Sequence, residues 1–281
     1  MKLRFTKMHG ISNDYIYIST FDQEVRDPEA LSSLLSDRRT GIGGDGIILV
    51  CPSDIADAKM RIFNADGSEA KMCGNGIRCV GKFVYDKGLV PADKTVITID
   101  TLSGVKTLDL TVEDGRVKTA KVDMGAAILK PADIPAVFDG ERMIDVPLDV
   151  DGRTWKVTAV SMGNPHCVTF VDDVDGLDLE RIGPSFENHP VFPDRVNTEF
   201  VKVIDGHTLQ MRVWERGSGE TWACGTGACA TAAAAVENGF CKKNEDITVR
   251  LRGGDLVIRY TDDTVFMTGP AETVFEGEVF V

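Results

Sequence analysis

The chain predicts an α+β fold of two pseudo-symmetric domains, each a curled, mostly antiparallel sheet wrapped around a central helix, with the active site in the cleft between them. Three observations carry this expectation. At 281 residues the chain is long enough for two domains of roughly 100 to 200 residues each. Part of its first half recurs without a gap in its second half. Most of its β-branched and alternating runs are short and separated by glycine-marked turns, and one helical pattern in each half interrupts them.

The repeat is decisive, because internal similarity fixes how every other element is read. Residues 61–76, RIFNADGSEAKMCGNG, align with residues 212–227, RVWERGSGETWACGTG, at an offset of 151. Arg61 then matches Arg212, Glu69 matches Glu220, and Cys73-Gly74-x-Gly76 matches Cys224-Gly225-x-Gly227. The same register pairs Asn13 with Asn164, Asp27 with Asp178 and Gly88 with Gly239.

In chain order, the first half shows strand-like runs at Tyr15–Ser19, Gly46–Cys51, Lys59–Asn64 and Thr95–Asp100. Asp27-Pro28 is an N-cap with proline at the first helical position, opening a short helix through Leu31, Leu34 and Leu35. A second helix follows Cys73: Ile77, Val80, Val84 and Tyr85 recur at helical spacing, and Gly88 stands where it stops. Strands near Val105–Thr111 and Arg116–Met124 follow, with a turn at Gly115. The second half offers Thr154–Ser161, His166–Val171, Glu199–Ile204 and Leu209–Glu215, with Gly152 at a turn. The helix Ala228–Asn238 is alanine-rich nearly all round, which predicts burial, and Gly239 ends it. Ile247–Leu251, Leu256–Tyr260 and Thr264–Met267 complete the β pattern, with Gly253-Gly254 at a turn.

Composition narrows the function. The chain is 43% hydrophobic and 27% charged with mean hydropathy near zero, as expected of a folded protein with a sizeable core. Its net charge of −13 argues against a polyanion partner, and no basic stripe is present, so no nucleic acid is expected. The first residues, MKLRFTKMHG, lack the apolar stretch of a secretion signal, and no apolar run approaches the roughly 18 residues of a membrane span. No membrane partner and a cytoplasmic location are therefore expected.

The seven cysteines are an odd number and do not read as a secreted disulfide framework. Cys51, Cys79, Cys167, Cys229 and Cys241 are expected to fill core, since a thiol behaves as a small hydrophobe. Cys73 and Cys224 are different. Each follows a strand and a loop and opens a Cys-Gly-x-Gly turn at the start of a helix, where unsatisfied N–H groups favour the reactive thiolate. The same N–H groups can hold a carboxylate, and the glycines let it approach. A thiol and a thiolate on opposite faces of an α-carbon would invert it, one removing a proton and the other returning one. Gly41-Ile42-Gly43-Gly44-Asp45-Gly46 precedes a strand instead of opening a helix, so it is not read as a dinucleotide fingerprint, and no cofactor is expected. A zinc site on Cys73, Cys79, Cys224 and Cys229 and a redox disulfide between the halves remain alternatives, although neither has the usual ligand or C-x-x-C spacing. Arg216, beside the second cysteine loop, suits bidentate recognition of a carboxylate.

The motifs KMHGxxND, FNxDGSExxMCGNGxRC, GNPH, RVN and WERGxGETxACGTGACA, at residues 7–14, 63–79, 163–166, 195–197 and 214–230, resemble diaminopimelate epimerases along essentially the whole chain. The resemblance implies a metal-free and pyridoxal-free isomerase that interconverts LL- and meso-diaminopimelate in lysine and peptidoglycan precursor biosynthesis. It implies Cys73 and Cys224 as the acid and base, with His166 and Glu215 assisting proton movement. It further implies Asn13, Asn64, Asn164, Asn197, Glu215 and Arg216 as substrate contacts, and Gly74, Asn75, Gly225 and Thr226 as the helix-end groups that hold the reacting carboxylate. Its last strand returns to the first half, giving domains of residues 1–124 with 270–281 and residues 125–269. The family is usually a homodimer, with an aromatic near Phe275 at the interface. Two departures stand out: Ser12 replaces a glycine often found before the asparagine, and Gly46 stands where many members carry a substrate-contacting glutamine. Proline racemases and hydroxyproline epimerases resemble the same fold, but a cyclic imino acid has no distal carboxylate to engage Arg216.

Overall fold

A computed structural model describes residues 2–281. Its elements, in chain order, begin with β1 (Lys2–Gly10), β2 (Asn13–Ser19), α1 (Pro28–Ser36), β3 (Gly46–Cys51), β4 (Ala58–Asn64), β5 (Glu69–Ala70), α2 (Gly74–Asp86), β6 (Val96–Asp100), β7 (Lys106–Glu113) and β8 (Arg116–Asp123). They continue with β9 (Val146–Val150), β10 (Arg153–Ser161), β11 (Pro165–Phe170), α3 (Leu179–Glu187), β12 (Asn197–Asp205), β13 (Thr208–Glu215) and β14 (Gly219–Thr221). The last are α4 (Gly225–Glu237), β15 (Asp246–Leu251), β16 (Gly254–Tyr260), β17 (Val265–Pro270) and β18 (Glu272–Phe280). Backbone proximity divides the chain into two units, Met1–Asp123 with Thr268–Val281, and Met124–Met267.

In the first unit the strands run in the order β18-β1-β2-β3-β4-β6-β7-β8, with β5 sharing the edge of β4 with β6. Among these described pairings only β2–β3 and β4–β6 are parallel. These are the two places where a helix, α1 or α2, returns the chain to the starting end, as parallel neighbours require. One sheet face packs Leu3, Phe5, Ile16, Ile18, Ile47, Leu49 and Phe63 against Leu31 and Leu35 of α1. Leu34, expected on that stripe, is 57% exposed, because the nine-residue helix turns it away from the sheet. The other face curls around α2, which packs against β1, β2, β3, β4, β6, β7 and β8. Gly81 is what lets it sit so close: a Cβ there would lie 2.8 Å from Leu108 Cδ2.

The second unit repeats this order as β9-β10-β11-β12-β13-β15-β16, with β14 on β13 and the parallel pairs β11–β12 and β13–β15. The offset of 151 maps β1 onto β10, α1 onto α3 and α2 onto α4 residue for residue. It first fails after β6 and β15, where the turn of residues 101–105 is replaced by the shorter 252–253. Trp155, Phe186 and Phe200 meet edge to face in the outer core, with ring centroids 5.2 to 6.0 Å apart. α4 is buried along nearly its whole length, and its run of alanines lets β10, β11, β12, β13, β15 and β16 surround it. Asp27 and Asp178 cap α1 and α3 through their side chains, and Gly88 and Gly239 take φ of +68° and +78° just past α2 and α4. Among the described residues no helix is long and apolar enough to cross a membrane.

Candidate active site

The two cysteine loops are built alike. Arg61 and Glu69 form an ion pair at 2.7 Å across β4–β5, and Arg212 and Glu220 repeat it at 2.8 Å across β13–β14. These hairpins deliver the chain to Cys73 and Cys224, which are the N-cap residues of α2 and α4 in the extended conformation. Each sulfur accepts a hydrogen bond from the amide three residues on, Gly76 or Gly227, at 3.3 Å. Both side chains thus occupy the place usually taken by Ser or Asp at a helix start.

Around this shared frame the partners differ. In the first unit the Cys73 thiol donates to Asn13 Oδ1 at 3.3 Å, while Asn13 Nδ2 donates to Asp45 Oδ2 at 2.7 Å. The Asp45 carboxylate can only accept, so it fixes the amide with its oxygen toward the sulfur. Arg38 bridges Asp14 and Asp45, and the buried Lys7 pairs with Asp14 at 2.5 Å and also donates to the Gly43 carbonyl. Burial of Asp14 is outweighed by Arg38 and Lys7, which hold its carboxyl below the usual range. The fully buried Arg78 donates to the Gly74 carbonyl at 2.9 Å, to Asn75 Oδ1 at 3.1 Å and to the Pro270 carbonyl at 3.2 Å, locking the first turn of α2.

In the second unit, Cys224 Sγ lies 3.6 Å from Thr226 Oγ1, which accepts from Asn164 Nδ2 at 3.3 Å. Asn164 Oδ1 is 3.1 Å from His166 Nε2, and His166 Nδ1 is 2.7 Å from Glu199 Oε1. Glu215 accepts from the Thr221 hydroxyl, and its charge acts on the Cys224 thiol. Asn197 donates to the Pro165 carbonyl at 2.8 Å and accepts from the Arg216 amide at 3.0 Å. The Arg216 guanidinium donates to the Asp194 carbonyl at 2.8 Å.

One sequence expectation is corrected for Cys224. A helix N-terminus was expected to lower the thiol, but burial, followed by the charges of Glu215 and Glu199, pushes it well above its ordinary value. Burial likewise raises Glu215, against the hydrogen bond from the Thr221 hydroxyl.

The expected residues therefore gather in two sets. Asn13, Gly74 and Asn75 surround Cys73; Asn164, His166, Glu215, Gly225 and Thr226 surround Cys224. Asn64, at the end of β4, is turned onto Ser68 at 3.1 Å. Asn197, at the start of β12, accepts from the Arg216 amide in the loop after β13, which Glu187 secures by accepting from Trp214 Nε1 at 2.8 Å and from the Gly217 amide at 2.9 Å. Sequence reading missed Asp45, Glu187 and Glu199. Glu199 alone left a signal, a carboxylate between Thr198 and Phe200 on a strand with no polar alternation. Both departures from the family pattern have backbone reasons. Ser12 has φ of +73°, a conformation that favours glycine. At Gly46 a Cβ would lie 2.1 Å from the Phe63 carbonyl oxygen, so no glutamine fits this backbone. The remaining cysteines pack as expected: Cys79, Cys167 and Cys229 are fully buried, Cys241 nearly so, and Cys51 partly.

Comparison with known proteins agrees with this frame. Two solved structures share the fold at 16% identity: a Bacillus anthracis phenazine biosynthesis protein of the PhzF family, with TM-score 0.74 and 100% of both chains covered, and a probable proline racemase from Agrobacterium radiobacter, with TM-score 0.74 and 99% of this chain and 92% of that chain covered. Curated sequences are much nearer. A diaminopimelate epimerase from Acetivibrio thermocellus is 56% identical over 279 residues, covering 99% of this chain and 98% of its own, and one from Methanococcus maripaludis is 53% identical, covering 99% of each. The diaminopimelate epimerase family matches residues 5–130 and 158–274. Full-length similarity at this level, with a cysteine capping the equivalent helix of each unit, makes the chain a member of the diaminopimelate epimerase family.

Proposed function

We propose that the protein interconverts LL- and meso-diaminopimelate with two thiols, Cys73 and Cys224, and no cofactor. The observation that carries this is the equivalence of the two sulfurs: each caps the same helix of a repeated fold and accepts from the same amide position. In one direction the Cys224 thiol passes its proton to Glu215, and the thiolate takes the α-hydrogen as the carbon–hydrogen bond breaks. The electron pair left on carbon is drawn toward the carboxylate, which the amides of Gly74, Asn75, Gly225 and Thr226 hold at the two helix ends. The Cys73 thiol then delivers its proton to the opposite face. The reverse reaction exchanges the two roles.

Asn13, Asn64, Asn164, Asn197 and Arg216 are assigned to the amino-acid substrate, with Arg216 at the distal carboxylate. His166 acts on the Cys224 side through Asn164. The finer assignments are a cytoplasmic enzyme and a homodimer formed through the face of β18, where Val274, Phe275 and Phe280 are 55%, 46% and 80% exposed. Sedimentation at equilibrium tests the dimer.

Isotope incorporation tests the chemistry. With LL substrate in D₂O and both thiols exchanged beforehand, initial meso product carries deuterium at the inverted carbon, while recovered LL substrate carries almost none. A single base would wash deuterium into the substrate before inversion. Extensive deuterium in unreacted substrate at early times overturns the two-thiol mechanism, and turnover of proline in place of diaminopimelate overturns the substrate.

A further inference from the structure

Glu199 is unusual for a strand residue. It sits on β12 with its side chain fully buried, beside an equally buried His166, and its Oε2 has no hydrogen-bond partner among the described residues. An ionisable side chain buried with one oxygen unsatisfied is costly unless it has a task. The internal repeat shows that folding alone does not demand it. The position equivalent to Glu199 at the offset of 151 is Ile48, and the two occupy the same place against their helices. A Cβ on Gly76 would meet Ile48 Cδ1 at 2.7 Å, and one on Gly227 would meet Glu199 Oε1 at 2.7 Å. One repeat fills this spot with a methyl group and the other with a carboxyl.

The hydrogen-bond chain shows what the carboxyl does. The 2.7 Å contact between His166 Nδ1 and Glu199 Oε1 holds one proton between two groups that could each carry it. His166 Nε2 faces Asn164 Oδ1, an acceptor, so this nitrogen carries hydrogen. Asn164 Nδ2 then donates to Thr226 Oγ1, which leaves the Thr226 hydroxyl hydrogen to point at Cys224 Sγ. Every bond runs in one direction, from Glu199 to the sulfur.

Resting on the two-thiol reading above, we propose that Glu199 is a positioning residue for the Cys224 side of the reaction: through His166, Asn164 and Thr226 it orients the hydrogen-bond donor that meets the Cys224 sulfur. The charged groups that act on that sulfur are Glu215 from β13 and Glu199 from β12, and His166 from β11 acts in turn on Glu215. Cys73 has the Asn13 and Asp45 arrangement instead and serves as the control within the same molecule.

The test uses Glu199→Gln, which keeps shape but removes the shared proton, and Glu199→Ile, which copies the other repeat and guards against a folding artefact of the amide. For both, kcat for diaminopimelate falls by about ten- to a hundred-fold, the usual range for groups that orient a catalytic histidine, with little change in KM. The downfield proton resonance of the His166–Glu199 bridge disappears. Alkylation by iodoacetamide, followed by mass spectrometry of the two cysteine peptides, shows the pH midpoint of Cys224 shifting while that of Cys73 stays put. Wild-type kcat in either variant, or equal movement of both cysteines, overturns the inference. If the wild-type protein fails to turn over diaminopimelate, the functional reading falls, whereas the resonance and the alkylation contrast still decide the role of Glu199 at Cys224.

Discussion

Replacing Gly227 with Ala separates the geometry of the Cys224 site from the stability of its helix. A Cβ at this position would lie 2.7 Å from Glu199 Oε1 and 3.1 Å from Cys224 Sγ, where ordinary contact begins at 3.4 Å. The carboxyl must therefore retreat by about 0.7 Å and the sulfur by about 0.3 Å, in a core that is close-packed. In exchange, Ala is favoured over Gly inside a helix by about 1 kcal/mol, which offsets much of the ~1 to 3 kcal/mol that overpacking costs. The net change in stability is expected within about 2 kcal/mol of zero. Activity is different, because the sulfur and the carboxyl that positions its donor both move, and a misplacement of about 1 Å can cost on the order of a hundred-fold even away from the chemistry.

Gly76→Ala is the matched control. Its Cβ would meet Ile48 Cδ1 at 2.7 Å, the end of a side chain that can rotate, and would stay 3.6 Å from Cys73 Sγ. We expect kcat to fall about ten- to a hundred-fold in Gly227→Ala and by less than about threefold in Gly76→Ala, with similar urea midpoints. Steady-state kinetics and urea unfolding on the two variants measure this. Equal losses of activity in both, or wild-type turnover in Gly227→Ala, would refute the geometric reasoning.

Arg216→Ala removes the charge assigned to the distal carboxylate, and since a hydrogen bond to a charged group is worth ~1.5 to 3 kcal/mol, kcat/KM should drop about ten- to a hundred-fold; an unchanged value excludes Arg216 from the site. Cys79, buried and beside Tyr17, has its thiol pushed up from 9.0 to about 11 by burial. The unfolded chain therefore releases this proton first as pH rises, so the contribution of Cys79 to stability is full below pH 9.0 and is lost as pH climbs to about 11. Urea unfolding at stepped pH should show that alkaline loss shrink by roughly 2 to 3 kcal/mol in Cys79→Ala; an identical pH slope in the variant refutes the assignment. Arg78→Met should loosen the first turn of α2, seen as faster amide exchange at Gly76 and Ile77, and unchanged exchange there would count against Arg78 as its lock.

Much of this was legible in the sequence because the repeat leaves a register that physics then reuses. The helices after Cys73 and Cys224, the strands leading into them and the glycine stops all follow from patterns within about fifteen residues. What was not legible involves partners far apart in the chain. Asp45 reaches Asn13 across 31 intervening residues, and Glu199 reaches His166 across 32, so nothing local marks either one. α3 was missed because its nine residues include Pro184, and β5 and β14 because two or three residues carry no period. The raised Cys224 thiol was misread for a related reason. The N-cap position is a local feature, but the burial and the two carboxylates that override it come from separate strands.

The duplicated asparagines show how one frame can hold two different acids. Asn13 and Asn164 occupy the same place in the repeat, yet Asp45 turns the oxygen of Asn13 to Cys73, while His166 takes the oxygen of Asn164 and leaves its nitrogen for Thr226. An amide oxygen beside a sulfur favours the protonated thiol, because only S–H can donate to it. A hydroxyl hydrogen beside a sulfur favours the thiolate, because a lone pair receives it, although at Cys224 burial and the charges of Glu215 and Glu199 outweigh it. The offset puts Val196 where Asp45 stands and Tyr15 where His166 stands, so neither lock exists in the other unit. An inverting pair works in the mixed state, one thiol and one thiolate, which removes a proton on one face and returns one on the other. The symmetric frame places the sulfurs, and the residues that break the symmetry give each one its own hydrogen-bond partners.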